Sequence, residues 1–156
     1  AMQNRGQAFS LDPEHANRLE PHKRPFHTII PAFVTEGGRP LLSFGVMGGD
    51  FQPQGHVQVL MNMIDFRMSP QQAGDQPRVR HIGRTSPWLG RSDHTGEVAF
   101  EHDIPDSVKV SLAELGHQVS SGVGAHGGYQ AIWRTDEPLV YFGGSDPRKD
   151  GAAMGY

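Results

Sequence analysis

Residues 23–58 read KRPFHTIIPAFVTEGGRPLLSFGVMGGDFQPQGHVQ. Two short apolar runs, 28–34 and 41–46, flank Glu36-Gly37-Gly38-Arg39-Pro40, a spacing that predicts a β-hairpin. Pro31 interrupts the first run and cannot donate to a ladder, so that run is expected at an edge or a bulge. The second run stops at Gly48-Gly49, and an amphipathic stretch follows. A strand ending in a glycine pair ahead of a helix leaves backbone N–H groups aimed into open space. Such groups can hold negative charge as it develops on an oxygen.

Working outward, residues 54–66 carry the strongest helical period, with Val57, Leu60, Met61 and Ile64 as the apolar stripe and Val59 and Met63 beside it. Ser69-Pro70 predicts a second, short helix, because Ser69 can cap it and Pro70 suits the first helical position. Residues 77–80 are expected to be extended and to lead into a Gly/Ser/Arg loop over 83–95. A strand is expected over 97–101. Val108, Leu112 and Leu115 mark the apolar side of a helix over 105–115, stopped by Gly116. Residues 118–120 read as a short strand, and 129–134 with 139–142 as a closing hairpin. Residues 1–22 and 143–156 read as loops. The whole reads as one α+β domain over 1–156, with no internal repeat and no linker.

Composition narrows the function. The chain has 156 residues, 36% apolar, with 20 glycines and 12 prolines, which excludes a helical bundle and leaves the core modest. Its net charge of −3 argues against nucleic acid as a partner, since phosphate binding needs a basic face. Arg78, Arg80, Arg84 and Arg91 form a locally basic stretch that reads as a solvated loop. No cysteine is present, so thiolate chemistry and disulfides are excluded. No run approaches the roughly 18 apolar residues of a membrane span. The opening AMQNRG has neither signal-peptide character nor the look of a natural start, so a fragment or cleaved subunit is expected. The compartment stays open between cytoplasm and periplasm.

Several patterns have two readings. Gly48-Gly49 suits an oxyanion-holding pair, and equally a tight turn where only glycine fits. His27-Thr28 suits a grip on a substrate carboxylate, and equally an ordinary strand start. Nine histidines invite a metal, with His94 next to Asp93 and His102 next to Asp103, yet no zinc spacing is present and none is expected. Gly122-Val-Gly124-Ala-His-Gly127 matches a dinucleotide fingerprint, but strand-forming residues follow where a helix is required, so the match is read as false. No cofactor is called for.

Three separated blocks resemble the gamma-glutamyltranspeptidase family. They are Gln3-Asn4-Arg5-Gly6 with Phe9, leading to Lys23-Arg24-Pro25; Gly45-Val46-Met47-Gly48-Gly49 with its helix, ending in Pro77-Arg78; and Gly144-Ser145-Asp146-Pro147-Arg148 with Gly155-Tyr156. In order and spacing they cover nearly the whole chain. The resemblance implies an αββα N-terminal-nucleophile hydrolase, in which a precursor cuts itself and a new N-terminal threonine attacks an amide carbonyl. It implies that this chain is the C-terminal portion of the small subunit, without that threonine, and inert alone. Its implied partners are the large subunit and the N-terminal part of the small subunit, with self-association as another way to cover exposed apolar faces.

By position, Gly48 and Gly49 become the catalytic oxyanion glycines, and Arg5, His27 and Thr28 the substrate-binding residues. The sequence departs from γ-glutamyl-specific relatives in two places. Ala8 stands where they carry an Asp, and His27-Thr28 replaces a Ser pair. The resemblance therefore points to a small-molecule amide of the acylase or oxamate-amidohydrolase branch. A non-catalytic binding module that reuses the fold is the alternative.

Overall fold

A computed structural model describes residues 4–83, 96–122, 124 and 126–156. Strands β1 (Ala32–Glu36), β2 (Arg39–Met47), β6 (Gly128–Asp136) and β7 (Leu139–Ser145) form an antiparallel sheet in the order β1-β2-β6-β7. A second sheet runs β3 (Val79–Ile82), β4 (Glu97–Phe100), β5 (Gln118–Ser121), with β4 and β5 parallel. Helix α3 (Asp106–Glu114) makes the parallel crossover from β4 to β5. Helices α1 (Gln52–Ile64) and α2 (Pro70–Asp75) pack against the first sheet and against each other.

The first hairpin turns at Gly37 and Gly38, both at positive φ (57° and 79°), which glycine adopts without a Cβ penalty. The first strand is shorter than the apolar run suggested. It begins at Ala32, and residues 28–31 lie outside it. The register ends at Ala32 opposite Phe44, directly after Pro31. The closing hairpin forms as expected but extends to Ser145, so residues 143–145 are strand rather than loop. Helix α2 starts as its sequence dictates: the Gln72 N–H donates to Ser69 Oγ (3.2 Å), and the Ser69 N–H donates to Gln72 Oε1 (2.9 Å).

The core lies between the first sheet and its helices. Leu42, Phe44 and Val46 alternate inward along β2, Tyr129 and Ala131 along β6, and they meet Phe51, Val59, Met63 and Ala73. Burying each large apolar side chain stabilises the fold by about 1.5–3 kcal/mol. Of the stripe expected on α1, only Leu60 packs against the core. Val57, Met61 and Ile64 are 56%, 47% and 50% exposed, while Gly55, Val59 and Met63 are buried. Gly55 decides the rotation: a Cβ there would lie 2.7 Å from Val46 Cγ1, so only a glycine lets the helix sit this close to β2. The expected apolar side of α3 is likewise outward, with Val108 and Leu115 exposed and no residue of the helix buried. The opposite face of the first sheet also carries exposed apolar side chains, Phe33, Met47 and Ile132 among them.

A buried ion cluster joins the two sheets. Arg78, expected in a solvated loop, is 2% exposed and ion-paired with Asp146 (2.8 Å). Arg84 and Arg91 of that stretch lie outside the described residues. The Arg78 guanidinium also donates to the carbonyls of His126 (2.8 Å) and Gly74 (3.0 Å). Arg148 donates to both Glu101 oxygens (2.6 Å each), to Asp146 Oδ1 (3.1 Å) and to the carbonyls of Gly74 and Gln76 (2.9 Å each). Asp146 in turn accepts the Tyr129 N–H (2.8 Å). Two segments read as loops from sequence, around Arg78 and after 143, therefore meet in the interior.

Burial opposes ionisation of Asp146. The Arg148 backbone N–H, the Arg78 charge and the Tyr129 N–H outweigh it and hold the carboxyl below its ordinary range. Glu101 is lowered against the same opposition, chiefly by Arg148 and the Arg78 backbone N–H. A carboxylate with a depressed folded-state pKa contributes stability above its unfolded value, and that stability is lost as pH falls through the folded one. Thermal unfolding scanned from pH 7 to 2 is expected to show stability falling most steeply below about pH 4. D146A should cost about 3–5 kcal/mol at neutral pH, because it leaves Arg78 buried without its partner. A thermal midpoint unchanged in D146A would contradict the role given to the cluster.

Candidate functional site

The end of β2 and the start of α1 build the site. After Met47 the chain turns through Gly48 (φ 149°, ψ 30°) and Gly49 (φ 59°) into a single 3₁₀ turn, Gly49–Phe51, and then into α1. Both φ values lie where a side chain is strained. Gly48 also abuts Gly127, itself at φ 75°: a Cβ on Gly48 would lie 3.1 Å from the Gly127 Cα, and one on Gly127 would collide with the Met47 carbonyl oxygen. Around Gly49 the space is open. The turn is held through its carbonyls. Gly48 accepts the Phe51 N–H (3.2 Å) and Gly49 accepts Gln52 Nε2 (3.2 Å), while no hydrogen bond from the Gly48 or Gly49 N–H is made to a described residue.

Beside this turn lies a cleft of about 750 Å³. Its walls include Gln7, Ala8, Phe9 and Ser10, then His15, then Phe26, His27 and Thr28, and finally Gly49, Asp50 and Gln52. Four regions distant in sequence thus meet, and His27, Thr28 and Gly49 are among them. Arg5 is not in the lining. It sits one turn away in a short 3₁₀ helix, Arg5–Ala8, with its guanidinium 3.4 Å from Asn4 Oδ1. Gly48 lies behind Gly49, against Gly127. His27 is exposed, and its Nδ1 is 3.1 Å from the Ile29 carbonyl. The Thr28 carbonyl accepts Gln52 Nε2 (2.8 Å), so a single side chain ties the His27-Thr28 segment to the glycine turn.

The polar residues of α1 were not singled out from sequence, yet each holds a backbone edge. Gln58 exchanges two hydrogen bonds with Val79 (2.8 and 2.9 Å) and Gln54 two with His81 (3.0 and 2.7 Å), so two amides one helical turn apart pair with the free edge of β3 as a strand would. His56 Nε2 accepts the Val46 N–H (3.0 Å), and its ring stands against Phe44 (centroids 5.0 Å apart). Burial holds the His56 imidazole below its ordinary pKa. A signal was present in the sequence: Gln52, Gln54, His56 and Gln58 alternate with the rest of the helix, a period that hydrophobic patterning ignores.

Of the other patterns, Gly122 to Gly127 precedes strand β6 and not a helix, against a dinucleotide site. His126 there is buried, its ring edge-on to Phe51 (5.8 Å) and its Nδ1 3.7 Å from Glu101 Oε1. His94 lies outside the described residues. Among the described residues no group of three His, Cys, Asp or Glu could hold a metal, and no helix is long and apolar enough to cross a membrane.

The two close-packed glycines should respond differently from the open one. G127A and G48A must move backbone and are expected to lower the thermal midpoint markedly. G49A meets no atom and should cost only about 1–2 kcal/mol for its left-handed φ. Equal destabilisation by all three, read by thermal unfolding, would contradict this packing.

With this geometry in view, the family model described as gamma-glutamyltranspeptidase matches residues 1–156. The glutathione hydrolase-like YwrD proenzyme of Bacillus subtilis is 42% identical over 99% of this chain, and the oxamate amidohydrolase proenzyme of Klebsiella pneumoniae is 38% identical over 99%. The chain spans only 29% and 28% of the length of these two relatives. Cephalosporin acylase from Bacillus halodurans superposes with a TM-score of 0.79 at 44% identity, over 100% of this chain and 28% of the other. A gamma-glutamyltranspeptidase from Pseudomonas nitroreducens complexed with L-DON gives 0.77 at 25% identity, over 99% of this chain and 81% of the matched one. These similarities agree with the α+β class read from the sequence and with the N-terminal-nucleophile hydrolase fold that its resemblance implied. The chain belongs to the gamma-glutamyltranspeptidase family.

Proposed function

We propose that these residues form the oxyanion-holding and substrate-facing wall of an N-terminal-nucleophile amidohydrolase or acyltransferase, as the C-terminal portion of its small subunit. The observation that carries this reading is the Gly48-Gly49 turn. Its N–H groups are not used by described residues, and it stands at a cleft that also gathers His27, Thr28 and the loop after Arg5. In the reaction, a threonine hydroxyl supplied by a segment outside these residues attacks the amide carbonyl. Its own α-amine takes the proton, and the Gly48 and Gly49 N–H groups receive the developing oxyanion. Collapse expels the amine, and water or a second amine then takes the acyl group. Without the threonine the 156-residue chain does no chemistry.

The cleft favours an amide other than a γ-glutamyl one. Ala8 offers no carboxylate where γ-glutamyl-specific relatives carry an Asp, and the carboxylate that does line the cleft, Asp50, stands at the glycine turn instead. His27 and, one turn away, Arg5 suit a smaller or more anionic acyl group. The large subunit and the rest of the small subunit are the proposed partners. The exposed Phe33, Met47 and Ile132 on the uncovered face of the first sheet support them, since such a face is ordinarily covered.

The test uses the full-length precursor containing this sequence. Mass spectrometry and N-terminal sequencing, before and after incubation, should reveal a new chain that begins with threonine and includes these residues. That product should hydrolyse members of an amide panel spanning oxamate, cephalosporin side-chain and γ-glutamyl substrates, and the 156-residue chain should hydrolyse none. Absence of both cleavage and hydrolysis would favour a non-catalytic binding module.

A further inference from the structure

We infer that His56 is a positioning residue for the oxyanion site, holding the last stretch of β2 on the edge that β1 does not reach. This rests on the functional reading above. Along an extended strand, N–H groups leave alternate edges, so those of residues 42, 44 and 46 share one edge. β1 occupies that edge only as far as Phe44, which pairs with Ala32. β1 begins at Ala32 and residues 28–31 lie outside it, so Val46 has no strand partner on that edge. His56 reaches across from α1 and accepts the Val46 N–H at Nε2 (3.0 Å).

Two residues further on, the Gly48 N–H leaves the same edge, and there the cleft opens between Thr28, Ile30, Gly49 and Gln52. A donor in an oxyanion hole must be aimed at the place the oxyanion will occupy, and small misplacement costs rate. On the other edge β2 is fixed by β6, through Gly45 opposite Gln130 and Met47 opposite Gly128. On the cleft edge, among the described residues, the His56 bond is the last tie on β2 itself before the glycine turn, whose Gly49 carbonyl is held by Gln52. As an acceptor, Nε2 carries no proton, which places the ring's hydrogen on Nδ1. The residue does not touch substrate. It acts through Val46, and it sits on the same helix that the glycine turn opens.

The experiment compares wild type, H56L and H56Q in the full-length, processed protein, with two readouts. Exchange of the Val46 amide is followed by fragmentation mass spectrometry, and kcat and KM are measured on the best amide of the panel. H56L removes the acceptor, whereas Gln places an amide oxygen near the position of Nε2. Expected are a loss of Val46 protection in H56L, a kcat lower by roughly tenfold to a hundredfold with KM within about twofold, and recovery of both readouts in H56Q. The ceiling is the roughly 10²–10³ lost with a whole oxyanion donor. An H56L protein with unchanged kcat, or with unchanged Val46 protection, overturns the inference, as does a kcat loss that H56Q shares in full. If wild type neither matures nor hydrolyses any amide, the functional reading fails and this role falls with it. Exchange at Val46 would still report whether the bond itself exists.

Discussion

The buried pairing of Arg78 with Asp146 is the constraint on which the arrangement depends. Two charges out of water are tolerated only when their remaining donors and acceptors are met, and here nearly all are. The guanidinium reaches the carbonyls of Gly74 and His126, and the carboxylate receives N–H groups from Tyr129 and Arg148. Those partners come from separate pieces of chain: Gly74 from α2, His126 from the approach to β6, Tyr129 from β6 itself, and Arg148 from the segment leaving β7. Among the described residues only the Arg78 Nε and the His126 Nδ1 make no hydrogen bond in this interior. Because Arg148 and Glu101 extend the cluster to the end of β4, the second sheet is fixed to the first by ions and hydrogen bonds more than by apolar packing.

That cluster is coupled to the glycine turn by a short physical route. Arg78 holds the His126 carbonyl, the next residue is Gly127, and Gly127 packs against Gly48 with no room for a Cβ of its own and only 3.1 Å for one on Gly48. From the other side, α1 holds the same corner with Gln52 and His56, and Gly55 lets the helix approach β2. The turn that faces the cleft is therefore gripped from two directions while its outward side at Gly49 stays open. A rigid scaffold with an open mouth is what an oxyanion site requires, since its donors act by being in place before charge develops.

Much of the fold was legible in the sequence because local chemistry fixed it. The Gly37-Gly38 hairpin, the Ser69-Pro70 helix start and the strand-then-glycine pattern at Gly48 each depend on residues adjacent in sequence. The helix rotations were not legible. The stripe Val57-Met61-Ile64 has the more apolar period, yet the buried face runs through Gly55, Val59 and Met63, because closeness of approach to Val46 outweighs hydrophobic content. Arg78 was misread for a related reason: a basic residue among prolines resembles a solvated loop until its carboxylate partner, 68 positions on in sequence at Asp146, is brought beside it. Of the candidate site, His27, Thr28 and Gly49 share one cleft, Gly48 stands behind it, and Arg5 lies outside its lining. The alternating glutamines and His56 were passed over because their work is done on backbone groups of distant segments.

That the Gly48 and Gly49 amides receive the oxyanion of an amide-cleaving reaction, as proposed, can be read from a crystal structure of the processed full-length protein after reaction with an electrophilic amide analogue. An adduct on a threonine is expected, with its oxygen about 2.7–3.1 Å from the Gly48 and Gly49 nitrogens. An adduct whose oxygen lies away from both, or a protein that forms no adduct while folded and processed, would contradict it.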